Sequence, residues 1–221
     1  MNKFDTCIFD LDGTLINSLT DLGNCTNEAL SLHSLPVHPL KNYKKFVGNG
    51  VSNLIRVTMG DKADDEKLFN SVYKAFCMLY NEKCLEETRP YNGITELIDS
   101  LKSSNVKLCV LSNKTDDFVL RITKALFNEN DFDLVWGKRS EYPIKPAPDS
   151  LLAMLKELDI PIEKCLYIGD SDVDVITARN AGVSFCGVEW GFRGADELRS
   201  AGAEIIVKKP SDIAKLVVGD E

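Results

Sequence analysis

Asp10 and Asp12 stand two apart at the end of a short apolar run, within Phe9-Asp10-Leu11-Asp12-Gly13-Thr14-Leu15. In extended backbone, alternate side chains share a face, so the two carboxylates point the same way. Carboxylates that close repel each other and invite a hard cation. Two later apolar runs also end in polar residues: Leu111-Ser112-Asn113 and Ile168-Gly169-Asp170-Ser171-Asp172-Val173-Asp174. Asp170 can supply a third oxygen ligand. Mg²⁺ prefers a few carboxylates, waters and a substrate phosphate to a full protein cage. Such an ion would cancel the repulsion between a carboxylate nucleophile and a phosphate dianion. Lys145, in Lys145-Pro146-Ala147-Pro148, would neutralise one phosphoryl oxygen and Ser112 would hydrogen-bond another. Ser112 is also a good helix N-cap, which is the plainer use of a serine there.

These residues need a scaffold that brings them together. Short apolar runs at Thr6 to Phe9, Val106 to Leu111, Leu134 to Trp136, Leu166 to Ile168, Val183 to Val188 and Glu204 to Val207 read as buried strands. Between them, Ile94, Leu97, Ile98 and Leu101 have helical spacing, and so do Leu151, Leu152, Leu155 and Leu158. Strands alternating with helices predict an α/β fold, a Rossmann-like parallel sheet with helices on both faces. Ligands in such sheets sit outside the carboxyl ends of the strands, where all three polar ends would meet. Pro148 suits the first turn of a helix, which puts Lys145 just ahead of it at the same edge.

Residues 16–85 interrupt the alternation. They carry almost no strand signal, and Leu68, Val72, Ala75, Phe76 and Leu79 mark a long amphipathic helix. The expectation is a small all-helical domain inserted after the first strand, with 1–15 and 86–221 forming the α/β core.

The chain has 221 residues, a formal net charge of −8 and a sequence pI of about 4.9. A general nucleic-acid binder needs a basic face, so that role is disfavoured. Asp10 and Asp12 interrupt the first apolar run, so no signal peptide is expected. No run approaches the roughly 20 apolar residues that cross a bilayer, and no membrane partner is expected. Seven cysteines, none in a C-x-x-C pair, fit reduced core thiols in a cytoplasmic protein.

The ordered set Asp10-Leu11-Asp12-Gly13-Thr14, Ser112-Asn113, Lys145 and Gly169-Asp170 with Asp174 resembles the haloacid dehalogenase superfamily. The resemblance covers nearly the whole chain, including a helical cap after the first motif. It implies Asp10 as nucleophile, forming an aspartyl-phosphate, and Asp12 as general acid and then base. It implies Mg²⁺ held by Asp10, the backbone carbonyl of Asp12, and Asp170. Ser112 and Lys145 would bind the phosphoryl group, and Asp174 would orient Lys145 or a metal-bound water. Within the superfamily, Thr14, Phe46-Val47-Gly48-Asn49-Gly50 and Trp190-Gly191-Phe192-Arg193 are similar to the phosphoglycolate phosphatases. That implies a phosphatase of a small phosphorylated metabolite, acting as a monomer or homodimer. Rival readings are a pyrophosphatase, a broad sugar or nucleotide phosphatase, a β-phosphoglucomutase-like phosphomutase, and a catalytically silent binding protein.

Plainer readings stand beside these. Asp170, Asp172 and Asp174 match the first, third and fifth positions of an EF-hand loop, but Val175 and Ala181 occupy positions that need Gly and Glu. Asp172 reads as a surface carboxylate at a helix start. Substrate contacts expected from the insert are Gly48, Asn49 and Gly50, otherwise a turn, and Arg56, otherwise a solvated residue; Asn113 is expected beside the phosphoryl site. Lys44 and Lys45 read as surface charges, and His33 and His38 as structural.

Overall fold

The structure, a computed structural model, describes residues 2–219. The chain divides into two compact units, Met1–Ile16 with Pro90–Glu221, and Asn17–Arg89. The first unit starts with β1 (Thr6–Phe9), and the chain leaves it through β2 (Ile16–Asn17). The second unit holds α1 (Leu19–Leu32), α2 (Tyr43–Phe46), α3 (Gly50–Met59) and α4 (Glu66–Lys83), and the chain returns through β3 (Arg89–Pro90). The return crossing falls four residues beyond the expected 85. The chain then alternates through α5 (Ile94–Ser103), β4 (Lys107–Thr115), α6 (Asp116–Leu126), β5 (Leu134–Lys138), α7 (Asp149–Leu158), β6 (Cys165–Gly169), α8 (Asp172–Ala181), β7 (Ser184–Val188), α9 (Gly194–Ala201), β8 (Ile206–Val207) and α10 (Pro210–Val218).

All six expected strands form one sheet in the order β5-β4-β1-β6-β7-β8, and every pairing is parallel. β1 lies between β4 and β6. The chain builds outward on one side of β1 and then crosses to the other, which makes the carboxyl end of β1 a topological switch point. One sheet face buries Ile8, Cys109, Leu111, Cys165 and Tyr167 against Leu151, Met154 and Leu155 of α7 and Ala178 and Ala181 of α8. The period-2 alternation sends Cys7, Phe9, Leu108, Val110, Leu166 and Ile168 to the other face, and all are fully buried. Apolar residues on both faces account for the near-continuous hydrophobic strands.

α7 begins at Asp149 with Pro148 as its N-cap, one position earlier than a first-turn proline. Of the twelve expected strand ends, five match and seven differ by one to four residues, the largest shift being the extension of β4 through Thr115.

In the helical unit, Asp65 caps α4 by accepting from the backbone N–H groups of Lys67 and Leu68. The buried stripe of α4 is Phe69, Val72, Phe76 and Tyr80. The expected stripe through Leu68, Ala75 and Leu79 is thus rotated by about one position. Both stripes share Val72 and Phe76, and the large aromatic rings of Phe69 and Tyr80 decide which face turns inward. The unit is closed at its ends by Asp21, a buried carboxylate of α1 that accepts from Glu87 N–H, Thr88 N–H and the Thr88 hydroxyl. His33 bonds to the Ala29 carbonyl and the Ser71 hydroxyl, and His38 to the Thr58 carbonyl, so both histidines serve packing.

Ile8, fully buried at the centre of the sheet, tests the packing account. Ile8→Ala should lower stability by about 2–5 kcal/mol, read as a fall in the urea midpoint. Leu120→Ala, at a side chain 46% exposed on α6, should change it by no more than about 0.5 kcal/mol. Equal shifts in the two variants would contradict this placement of the core.

Candidate active site

The strand register brings the polar residues to one edge. Phe9 sits opposite Val110 on one side and Ile168 on the other. The next residues along each strand are therefore Asp10, Leu111-Ser112 and Gly169-Asp170, all at the carboxyl end. The Asp10 N–H continues the ladder by donating to the Ile168 carbonyl at 2.8 Å. The chain then turns: the Leu11 carbonyl accepts from the N–H groups of Thr14, Leu15 and Ile16. On β4 the pairing with β5 shifts register between Leu111 and Thr115, the stretch that carries Ser112, Asn113 and Lys114. Bulges of this kind re-aim side chains next to functional sites. Gly137 of β5 permits it, since a Cβ there would lie 2.6 Å from the Lys114 carbonyl oxygen and the Asp116 Cα.

Lys145 is the hub. Its buried ammonium donates to Asp10 Oδ1, Asp174 Oδ1 and the Tyr167 hydroxyl, each at 2.8 Å, and approaches the Leu111 carbonyl at 3.2 Å. Its backbone is gripped by Asn113, which accepts from Lys145 N–H at 2.9 Å and donates to the Lys145 carbonyl at 3.0 Å. Asp174 also accepts from the Tyr167 hydroxyl at 2.9 Å and the Ser171 hydroxyl at 2.6 Å. Ser171 and Asp174 form a reciprocal capping box at the start of α8, which fixes the Asp174 rotamer. Asp170 accepts from Phe192 N–H at 2.6 Å. It is wedged between two glycines: a Cβ on Gly13 would lie 2.3 Å from Asp170 Oδ2, and one on Gly191 would lie 2.2 Å from Asp170 Cβ.

Oxygens of Asp10, Asp170 and Asp174 lie within 4.8 Å of one another, and all three residues are buried. Burial pushes the Asp10 carboxyl up to about 7, with Lys145 pulling it down and the charges of Asp174 and Asp12 pushing it further up. Burial, then the charges of Asp174 and Asp10, drives Asp170 well above the usual carboxylate range. Burial acts on Asp174 too, but the Lys145 ammonium and the bonds from Lys145, Ser171 and Tyr167 hold it below that range. Burial disfavours a charged Lys145, yet Asp10 and Asp174 keep it protonated well past its ordinary value. The set is thus short of positive charge at Asp10 and Asp170. Hard oxygen donors that lack a counter-charge fit a divalent cation such as Mg²⁺.

Not every expected residue joins this cluster. Both carboxylate oxygens of Asp12 accept from Lys114 Nζ at 2.8 Å, and its carboxylate lies outside the acidic group. The turn at Leu11 breaks the extended geometry that would have pointed Asp10 and Asp12 the same way. Ser112 is buried at the edge and its hydroxyl accepts from Lys114 N–H at 3.2 Å; it caps no helix, since α6 starts only at Asp116. Asn113, expected beside substrate, spends its amide on the Lys145 backbone. Arg56, expected as a substrate contact, donates to the Ala63 carbonyl and Glu66 and stacks over Phe69 at 4.0 Å, so its guanidinium is committed to packing α3 on α4. Gly48 and Gly50, at φ 127° and 78°, and Asn49, the N-cap of α3, form the turn between α2 and α3 in the helical unit. Asp172 lies half-buried in the first turn of α8, apart from the acidic group.

Four contributors, Tyr167, Lys114, Trp190 and Phe192, carry no site signal in the sequence. Tyr167 lies inside an apolar strand, where its hydroxyl gave no signal. Lys114 follows the second motif directly, but it reads as an ordinary strand-end lysine. Trp190 and Phe192 were noticed only as a similarity; Trp190 Nε1 donates to the Thr14 carbonyl at 3.0 Å and braces the first turn.

The fold and this site define a class. A family model described as haloacid dehalogenase-like hydrolase matches residues 7–188, and the chain belongs to that family of hydrolases. Among its relatives is the phosphoglycolate phosphatase of Aquifex aeolicus, 32% identical over 210 residues and covering 95% of each chain. A crystal structure of a protein from Lactobacillus delbrueckii subsp. bulgaricus has a TM-score of 0.92 at 31% identity, over 99% of this chain and 100% of that one. A predicted phosphoglycolate phosphatase from Haemophilus somnus has a TM-score of 0.91 at 28% identity, over 98% and 99% of the two chains.

A divalent cation held by this group would compete with protons for Asp10. Its native carboxyl at about 7 stands above the roughly 3.9 of an unfolded chain, so between these values the folded state binds the extra proton. That contribution favours folding at low pH and is lost as pH rises through about 7. Mg²⁺ should therefore raise the thermal midpoint more at pH 8 than at pH 5.5. An equal gain at both pH values would contradict proton competition at Asp10, and no gain at either would contradict the cation site.

Proposed function

We propose that the protein is a Mg²⁺-dependent phosphatase of small phosphate monoesters, phosphoglycolate phosphatase-like, working through an aspartyl-phosphate on Asp10. The observation that carries this reading is the buried group of Asp10, Asp170 and Asp174 around one lysine at the switch point of the sheet. The names and near-full coverage of the relatives support the substrate class.

Asp10, Asp170 and the Asp12 backbone would hold the metal, with Asp174 beside them. When bound, the metal supplies positive charge that offsets the repulsion between Asp10 and the phosphoryl oxygens. An Asp10 oxygen attacks phosphorus as the ester P–O bond breaks, and Asp12 gives its proton to the leaving oxygen. Water then attacks the phosphorus of the aspartyl-phosphate and gives a proton to Asp12, releasing phosphate and restoring Asp10. Lys145 and Ser112 stabilise the transferring oxygens. Asp174, Tyr167 and Asn113 fix Lys145. With a cation beside it, Asp10 would have no reason to hold a proton and would be available as a nucleophile.

We assign Asn17–Arg89 as a cap that sets specificity, with Gly48-Asn49-Gly50 as its contact loop. A crosslink locking the two units together without loss of turnover would contradict that role. The seven free thiols accord with a reducing cytoplasm.

Phosphate release should be Mg²⁺-dependent, abolished by EDTA and restored by added Mg²⁺, with 2-phosphoglycolate preferred over pyrophosphate and sugar phosphates. Asp10→Asn should fall to about a thousandth of the parent rate or less, while keeping its circular dichroism spectrum. Retained turnover in that variant would remove Asp10 as nucleophile, and isomer exchange without phosphate release would indicate a mutase.

A further inference from the structure

Lys114 is a second buried lysine at the site, and the phosphoryl chemistry above does not use it. Its side chain is 3% exposed and that of its partner Asp12 is 11% exposed. Its N–H is turned by the Ser112 hydroxyl, and it stands on the register shift of β4. The stretch of β4 with the shifted register thus carries a positive charge to Asp12.

Burying an ammonium costs several kcal/mol before its partner repays it, so a second lysine here requires a reason. Four carboxylates, Asp10, Asp12, Asp170 and Asp174, share this edge with two ammonium groups. A divalent cation among Asp10, Asp170 and Asp174 balances that set and serves the phosphoryl group. A substrate with a second anionic group needs a further contact, placed beyond the leaving oxygen. Asp12 marks the position of the leaving oxygen, because it must lie within hydrogen-bond reach of it. Lys114 Nζ is 2.8 Å from both Asp12 oxygens, and so stands next to whatever the leaving oxygen carries.

We propose that Lys114 is a further specificity determinant, in the α/β unit, that binds a carboxylate on the carbon attached to the ester oxygen. Its ligand is then the carboxylate of the phosphoglycolate-type esters that the proposed function already names. This rests on the phosphatase reading with Asp12 as the acid. In these esters the carboxyl carbon is two bonds from the leaving oxygen. An ammonium carries three rotatable donors on a flexible stem. Lys114 can exchange one Asp12 oxygen for a substrate carboxylate oxygen with little movement. That exchange also frees an Asp12 oxygen to face the leaving group.

A lysine that only braces Asp12 would make a different prediction, and the two separate cleanly. Ethyl phosphate is 2-phosphoglycolate with a methyl group in place of the carboxylate. The parent enzyme, with Mg²⁺, should have a much higher kcat/KM for 2-phosphoglycolate than for ethyl phosphate. Lys114→Met should slow both esters and shrink their ratio roughly ten- to hundredfold, the worth of one charge-assisted hydrogen bond. Because the ratio is internal, a partly unfolded preparation does not alter it. An equal fall for both esters overturns the proposal and leaves Lys114 as a brace for Asp12. If Lys114→Met turns over neither ester, calorimetric binding in the Asp10→Asn background decides. There Lys114→Met must lose the preference for 2-phosphoglycolate, and an unchanged preference overturns the proposal. Should the parent enzyme hydrolyse other esters but not favour 2-phosphoglycolate, the proposal fails and the phosphatase reading survives. Should the parent release phosphate from no ester, both fall.

Discussion

The constraint on which this site depends is the repulsion of carboxylates gathered at one buried sheet edge. Asp10, Asp170 and Asp174 would drive one another apart or take up protons without positive charge among them. Lys145 supplies part of it, at 2.8 Å from both Asp10 and Asp174. Removing one partner from such a buried group costs about 3–5 kcal/mol, because the other charge is left uncompensated. The surroundings of Lys145 follow from that. Asn113 holds its backbone, Tyr167 shares a bond with it and with Asp174, and Ser171 locks Asp174 at the head of α8. The charge Lys145 does not supply is what a metal would provide.

The scaffold meets a second demand, close approach. Asp170 reaches its place because neither Gly13 nor Gly191 has a side chain. Gly13 also sits at φ 89°, a left-handed conformation that glycine adopts without the strain of a Cβ. Trp190 then ties the loop after β7 to the turn after β1. The first and last motifs are thus held by backbone packing as well as by charge.

The sheet was legible in the sequence because it is buried on both faces. Strands such as Thr6–Phe9 read as unbroken apolar runs with helices between them. The placement of Asp10, Lys145, Asp170 and Asp174 together is legible because Asp10 and Asp170 follow strands, Lys145 precedes a helix and Asp174 stands in the first turn of one. What stayed hidden depended on local departures from regular geometry. The turn at Leu11 separates Asp12 from Asp10, and the shifted register of β4 turns Lys114 toward Asp12. Neither leaves a periodic trace. The face of α4 was misjudged for a related reason: adjacent stripes on a helix share residues, and ring size at Phe69 and Tyr80 settles between them. Arg56 carried a charge suited to substrate, but the acidic first turn of α4 captured it through Glu66.

The central claim is that Asp10, made chemically available by the charges around it, carries the phosphoryl group. Its most direct test is a rapid acid quench of the enzyme with Mg²⁺ and substrate, followed by peptide mass spectrometry. The peptide containing Asp10 should carry an added phosphoryl mass, lost on mild alkaline or hydroxylamine treatment. Steady turnover with the phosphoryl group found on another residue, or with no adduct at any quench time, would contradict it.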